Sequence, residues 1–258
     1  MTLDARPWRH FTSWLGAAAS PRPDGFSAGG TLPRAPHIAV PDQRRRLQLT
    51  IELLVLFVAL PFLMRYAVFT YRVPLFYALP PVLLLIAAFL FLDPGFSLKR
   101  ELKRAVSRDT LLSVFKIFAV GAGLVAAAVA LILPEHLFGL VKNRTGLWAK
   151  VLMLYPFTSV LTQEFMYRAF FFHRYGPLFS NRWVLITVNA AVFAIGHVLF
   201  RNWIAVGGTF LAGLLLAWRY ERTRSFWAVW IEHVLWGWLV FTIGLGVFFF
   251  TGFKNPAW

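Results

Sequence analysis

The sequence contains no cysteine. Disulfide bonds, thiolate metal sites and cysteine nucleophiles are therefore excluded. Charged residues are also scarce, at 14% of 258 residues, where ordinary globular domains have roughly 25%. Acidic residues are the scarcer of the charged residues, with 11 Asp and Glu compared with 26 Lys and Arg. So few charges do not suit one or two soluble domains of this length, and they indicate a membrane protein.

Apolar residues make up 59% of the chain, with 27 Phe and 11 Trp among them. They come in long blocks, and blocks of about 18 or more apolar residues predict transmembrane helices. Seven such blocks cover 49–69, 73–92, 111–133, 147–176, 183–200, 203–221 and 226–250. We therefore predict an all-α polytopic bundle with about seven spans, in a transmembrane domain over residues 49–258. Residues 1–48 are basic and rich in Pro and Gly, which predicts a flexible cytoplasmic arm.

The net charge of +15 sits mainly in the loops between the apolar blocks. If seven spans are counted, four basic clusters fall on one side of the membrane: 44–46, 99–108, 174–182 and 219–224. Cytoplasmic loops carry an excess of Lys and Arg, so the N-terminus is predicted to be cytoplasmic. Such clusters attract anionic lipid head groups, and we expect lipid rather than nucleic acid as their partner.

Several polar residues interrupt the apolar blocks, where a charge costs several kcal/mol and is a functional candidate by default. They are Gln163, Glu164 and Arg168 in the fourth block, Asn189 and His197 in the fifth, and Glu232 and His233 in the seventh. Glu164 and Arg168 are four residues apart, so they share a helix face and can pair. Glu164, His197 and His233 are expected at depths of about 18, 21 and 11 Å from the cytoplasmic side. One cavity can hold all three.

A carboxylate beside imidazoles in a dry cavity suits the activation of water. A His or amide donor can then stabilise the oxyanion, which amounts to peptide hydrolysis without a covalent nucleophile. The same residue types allow other interpretations. A His-His-Glu set binds zinc in other proteins, although no HExxH pattern is present. His197 and His233 can serve as axial ligands of a haem or line a quinone site, and a Glu–Arg pair with histidines can relay protons in a transporter.

Three stretches on separate apolar blocks carry a resemblance to a known family. They are QEFMYR at 163–168, FAIGH at 193–197 and HVLWG at 233–237. Their order and spacing resemble the Glu-Glu-x-x-x-Arg, Phe-x-x-x-His and His-x-x-x-Asn/Asp motifs of the CPBP family of intramembrane proteases. That family includes CAAX prenyl endopeptidases and bacterial immunity-type homologues. The motif-bearing core covers residues 147–250.

The resemblance implies an intramembrane endopeptidase that hydrolyses a peptide bond of a membrane-anchored protein or hydrophobic peptide with water activated by Glu and His. It assigns catalysis to Glu164, His197 and His233, and it also matches Arg168 and Phe193. No cofactor is implied, and a divalent metal is left open. The implied location is a bacterial inner membrane.

Two positions depart from the family motifs. Gln163 stands where the family has the Glu that usually activates water, and Gly237 replaces the Asn or Asp of the last motif. Either Glu164 takes over the role of the base, or the protein is a non-catalytic scaffold or immunity-type relative. Glu232 is a further candidate carboxylate, and support for His233 or for the oxyanion is expected from Asn189 or Gln163. We favour an active enzyme, because the other motif positions are retained.

Overall fold

The structure, a computed structural model, describes residues 42–73, 75–93 and 95–249, so most of the predicted N-terminal arm lies outside the described residues. Within these ranges the regular secondary structure is helical and contains no strand, which confirms the all-α prediction. The first half forms α1 (Gln43–Leu54), α2 (Leu60–Thr70), α3 (Leu75–Leu92), α4 (Leu98–Lys103) and α5 (Arg108–Ile132). The second half forms α6 (Gly139–Asn143), α7 (Thr145–Tyr155), α8 (Leu161–Glu164), α9 (Phe171–Arg174), α10 (Arg182–Gly196), α11 (Trp203–Thr223) and α12 (Phe226–Ile243).

Short helical segments of other types connect these elements. Three π-helical stretches, Val55–Ala59, Pro156–Val160 and Phe165–Phe170, join α1 to α2, α7 to α8 and α8 to α9. Single 3-10 segments lie at Pro134–His136, Gly176–Leu178, His197–Phe200 and Leu245–Phe249. The first helix begins at Gln43, inside the stretch that the sequence assigns to the arm.

Five helical stretches in the described part of the chain are long and apolar enough to cross a membrane. They are Gln43–Thr70, Arg108–Ile132, Arg182–Phe200, Trp203–Thr223 and Phe226–Ile243. They correspond to the first, third, fifth, sixth and seventh predicted blocks. The second block corresponds to α3, and the fourth to the interrupted run from α7 to α9. The chain is thus a multispanning membrane protein, while the count of seven and the side of the N-terminus stay predictions.

Each of the last three helices begins after a residue whose side chain caps the helix N-terminus. These caps define where each helix starts and keep the turns between the helices short. Asn181, Asn202 and Ser225 precede α10, α11 and α12, and each accepts hydrogen bonds from backbone N–H groups in the first turn of its helix. Such caps satisfy donors that have no partner inside the helix. Because the turns are short, α10 and α11 pack side by side along their length.

The same three helices form the inner part of the bundle. Across 18-residue apolar stretches of Arg182–Phe200 and of Phe226–Ile243, 44% of the residues are buried, against 6% in Arg108–Ile132. Leu131 and Ile132 of α5 are among the most exposed apolar side chains, as expected for a helix that faces lipid. The second and third motifs therefore lie on this inner part of the bundle.

An aromatic cluster packs the first span against the fourth. The ring of Phe57, which is buried, lies 5.5 Å from the ring centroid of Tyr167, 5.4 Å from that of Phe171 and 5.8 Å from that of Tyr175. Most of these contacts are edge-to-face, the arrangement that aromatic pairs prefer. The cluster supports the π-helical stretch that follows α8.

A polar cluster holds the end of α9 against the first span and the loop after α3. Nη2 of Arg174 donates to Oε2 of Glu52 over 2.8 Å, and the Tyr175 hydroxyl donates to Oε1 of Glu52 over 2.8 Å. Nε2 of His173 lies 3.0 Å from Oδ2 of Asp93. Burial by itself raises the pKa of Asp93, but the hydrogen bond and charge of His173 and the charge of Arg174 outweigh it and hold that pKa below its usual value.

Candidate active site

The fourth span is interrupted where its polar residues lie. The short α8 sits between two π-helical stretches, and such stretches are frequent at functional sites. Pro156 has no N–H to donate to the carbonyl of Leu152 one turn earlier. That carbonyl accepts from Nε1 of Trp238 over 2.9 Å, and the carbonyl of Pro156 accepts from Nε1 of Trp230 over 2.9 Å. These two bonds fasten α12 to the interrupted span.

Glu164, at the end of α8, connects two of the three motifs. Its Oε1 accepts from Nδ1 of His233 in α12 over 2.6 Å, and its Oε2 lies 3.3 Å from Nε of Arg168. The side chains of Glu164 and Arg168 have no exposed surface. A buried carboxylate needs such partners, because an unpaired charge in an apolar interior is very costly. The carboxylate is thereby held between an imidazole and a guanidinium.

Asn189 of α10 supports Arg168. Nη1 of Arg168 donates to Oδ1 of Asn189 over 2.8 Å, and Nδ2 of Asn189 donates to the backbone carbonyl of Tyr167 over 2.7 Å. The guanidinium carbon also lies 5.1 Å from the centroid of the Phe193 ring, within the range of a cation–π contact. Asn189 therefore positions the guanidinium and makes no hydrogen bond to His233.

Gln163 points to a different neighbour. Its Nε2 donates to Oγ of Ser159 over 2.7 Å, one turn earlier in the same span. Its Oε1 is buried and has no hydrogen-bond partner among the described residues. Like Asn189, it makes no hydrogen bond to His233, while a role of either residue at the oxyanion stays a prediction.

The second nitrogen of His233 faces a residue that no motif in the sequence indicates. Nε2 of His233 lies 3.2 Å from the hydroxyl of Tyr155, at the end of α7. The ring of Tyr155 also meets the ring of His233 edge-to-face, at a centroid distance of 6.2 Å. The sequence signal for Tyr155 was only a hydroxyl inside an apolar block, which Tyr167 shares. Its partnership with His233 depends on the packing of α7 against α12.

His197 lies where α10 ends in a 3-10 segment. Its Nδ1 donates to the backbone carbonyl of Phe193 over 2.7 Å, and its Nε2 has no hydrogen-bond partner in the described part of the chain. In a neutral imidazole with a hydrogen on Nδ1, Nε2 is the acceptor. The ring of Phe193 contacts both His197 and His233, at centroid distances of 4.7 and 5.8 Å. The two imidazoles thus lie against one aromatic ring.

Glu232 takes part in a separate ion pair. Its two carboxylate oxygens accept from Nε and Nη2 of Arg219 in α11 over 2.8 and 3.0 Å. Nη1 of Arg219 donates to Oγ of Ser113 in α5 over 2.9 Å. This bidentate pair ties three helices together. The structure therefore brings Glu164, His197 and His233 together and leaves the Glu232 carboxylate in another cluster.

The described residues contain no group of three or more His, Asp or Glu side chains placed to hold a metal ion. Both ring nitrogens of His233 face protein groups, Glu164 on one side and Tyr155 on the other. Ligation of haem iron by His233 would require one of these contacts to break. Of the four ring nitrogens of His197 and His233, only Nε2 of His197 has no hydrogen-bond partner among the described residues. This nitrogen is therefore suited to accept one hydrogen bond or proton.

Comparison with known proteins agrees with the motifs. Residues 144–239 match the family described as type II CAAX prenyl endopeptidase Rce1-like. This region includes Glu164, His197 and His233. No curated protein and no solved structure matches the chain. The match covers less than half of the chain, and over residues 144–239 it confirms the predicted resemblance to the CAAX prenyl endopeptidases; at the level of that family it supports a membrane protease.

Proposed function

We propose that this chain is an intramembrane endopeptidase that hydrolyses a peptide bond of a membrane-anchored protein or hydrophobic peptide. The observation that carries the proposal is the 2.6 Å contact between Glu164 and His233, with His197 on the same Phe193 ring. Two imidazoles and a buried carboxylate inside the helical bundle are suited to acid–base chemistry on water.

In the proposed reaction, Nε2 of His197 accepts a proton from a water molecule while the water oxygen bonds to the carbonyl carbon of the substrate. The carbonyl oxygen becomes an oxyanion. When the carbonyl re-forms, the C–N bond breaks and the leaving nitrogen takes the proton from His197. His197 fits this role because its Nδ1 is held by the Phe193 carbonyl, which directs the lone pair to Nε2.

Glu164 acts through His233 in this proposal. Both carboxylate oxygens face protein groups and the side chain is fully buried, so water has no direct path to it. A carboxylate that accepts from Nδ1 of a histidine fixes the ring orientation and stabilises positive charge on it. Arg168 and Asn189 hold the carboxylate in place from the other side. Gln163, which lacks a proton-accepting carboxylate, needs no part in this scheme.

To test the proposal, the chain is co-expressed with candidate membrane-anchored substrates, and cleavage of these substrates is followed by mass spectrometry. His197→Ala and Glu164→Gln are compared with wild type at matched amounts of folded protein. Gly208→Ala is the matched control, because a Cβ at Gly208 meets no atom within 4 Å. Cleavage that is lost in both site variants and kept in the control supports the proposal.

Two results contradict it. Cleavage at the wild-type rate in both site variants would show that residues other than His197 and Glu164 catalyse the reaction. No cleavage by wild type, and none after Gln163→Glu restores the carboxylate of the family motif, would favour the non-catalytic scaffold.

A further inference from the structure

Tyr155 and Gly237 fit together as a complementary pair. A Cβ placed on Gly237 would lie 2.1 Å from Cε1 of Tyr155 and 2.7 Å from its hydroxyl oxygen. Atoms do not approach so closely, so a side chain at position 237 and the Tyr155 ring exclude each other. The glycine is needed here because it leaves room for the aromatic ring.

The position of the Tyr155 ring is fixed from two sides. It packs edge-to-face on His233 at 6.2 Å and on Phe241 at 5.3 Å between ring centroids. Pro156, which follows Tyr155, begins the π-helical stretch that α12 holds through Trp230. The hydroxyl is thereby directed to Nε2 of His233 rather than to lipid.

We propose that Tyr155 is a further active-site residue, whose hydroxyl occupies the space of a side chain at position 237 and donates a hydrogen bond to the oxyanion. The inference rests on the proposed peptidase function. In the motif that this chain resembles, position 237 carries an amide or carboxylate, and Gly237 has neither. Tyr155 brings a polar group to that space from α7 instead of α12.

The hydroxyl is suited to this role by its connection to the buried carboxylate. Nδ1 of His233 already donates to Glu164, so the imidazolium form of His233 donates from Nε2 to the Tyr155 oxygen, and the O–H of Tyr155 is left to donate elsewhere. Glu164, His233 and Tyr155 then form one chain of hydrogen bonds that polarise each other. Tyr155 transfers no proton: it donates a hydrogen bond to the carbonyl oxygen while that oxygen is negative, and the proton from water stays on His197.

The main test is Tyr155→Phe, which removes the hydroxyl and keeps the ring that Gly237 accommodates. Loss of one oxyanion donor lowers kcat by about 100-fold or more, and we expect that loss with KM unchanged. A kcat equal to that of wild type would overturn the proposal, because a residue that only packs would tolerate the change.

A rescue experiment separates the hydroxyl from the packing. Gly237→Asn alone places a side chain against the Tyr155 ring and is expected to abolish activity. Combined with Tyr155→Ala, the asparagine has space and its amide can donate in place of the hydroxyl. We expect the double variant to exceed Tyr155→Ala by about 10-fold in kcat, as one restored donor should give. A double variant no better than Tyr155→Ala would contradict the shared role.

A spectroscopic measurement is independent of turnover. The ring ¹⁵N resonances of His233, assigned by comparison with His233→Gln, are recorded in wild type and in Tyr155→Phe. A shift of the Nε2 resonance supports the bond to Tyr155, and an unchanged resonance overturns it. If wild type cleaves no substrate, the proposed function fails, and this measurement still decides whether Tyr155 is the partner of His233.

Discussion

Oε1 of Glu164 and Nδ1 of His233 lie 2.6 Å apart, although 69 positions separate the two residues in the sequence. The contact crosses from the short α8 to α12, and two tryptophan side chains of α12 bind carbonyls of the segment that precedes α8. A site of this kind depends on the packing of the bundle, and its polar partners can be tested one pair at a time.

Glu164→Gln is expected to destabilise the protein as well as to stop catalysis. The change leaves the guanidinium of Arg168 buried without its counter-charge, and loss of one partner of a buried pair costs about 3–5 kcal/mol. Glu164→Gln/Arg168→Gln removes both charges and should be less destabilised than Glu164→Gln alone. Unfolding in detergent, followed by tryptophan fluorescence, gives the comparison. A double variant with the summed loss of the two single variants would show that the two charges do not interact.

Glu232→Gln should affect stability and spare the chemistry. Its carboxylate binds Arg219 through both oxygens, so the loss of charge again leaves a buried guanidinium, at a cost of about 3–5 kcal/mol. The cleavage rate per folded molecule is expected to equal that of wild type. Arg219→Met/Glu232→Met, which replaces both charges by apolar groups, should recover stability. A loss of cleavage at unchanged stability would instead place the Glu232 carboxylate in the reaction.

Gly196→Ala is expected to disturb the site through Tyr167. A Cβ at Gly196 would lie 2.2 Å from the buried Tyr167 hydroxyl, whose backbone carbonyl accepts from Asn189. The ring must therefore move, and overpacking of this kind costs about 1–3 kcal/mol. Thermal unfolding and cleavage are both measured.

Tyr167→Phe provides the matched rescue for this substitution. It removes the hydroxyl and leaves the ring carbon Cζ at 3.3 Å from the added methyl group. Gly196→Ala/Tyr167→Phe should thus regain most of the lost stability. A double variant as unstable as Gly196→Ala would show that the Tyr167 hydroxyl is not the cause of the destabilisation.

The contribution of Asp93 to stability is expected to depend on pH. The pKa of Asp93 lies below its usual value because His173 and Arg174 favour the ionised form. A group with a depressed pKa in the folded state stabilises the protein above its unfolded pKa of about 3.9, and the stabilisation is lost as pH falls through the folded pKa.

The measurement compares the Tm of wild type with that of Asp93→Asn over a range of pH. Wild type should be more stable at pH 7, by about 1.5–3 kcal/mol for a hydrogen bond to a charged group. The difference should shrink once the pH falls below the usual carboxyl pKa. A constant difference across the range would mean that the charge of Asp93 is not involved.

Much of the architecture could be predicted from the order of apolar and polar residues. Long apolar blocks demand helices in lipid, because the backbone has no water to bind there. The motif residues were also recognisable, since a Glu, an Arg and two His in apolar blocks are too costly to lack a role. The interruption of the fourth span was not predicted, because π-helical stretches have no periodic signal of their own. Asn189, a candidate support for His233 or the oxyanion, binds Arg168, and Glu232, which precedes His233 in the sequence, pairs with Arg219.

The sequence by itself determined that this chain is an all-helical membrane protein. It also determined that three apolar blocks carry polar motifs that resemble those of the CPBP family. Composition, block length and motif spacing can be read along the chain without knowing how the helices pack. Tertiary structure alone decided which polar atoms meet. Neighbours in sequence such as Glu232 and His233 point to different helices, since successive residues on a helix lie about 100° apart. Tyr155 reaches His233 because Gly237, on another helix, leaves a space that a side chain would otherwise fill.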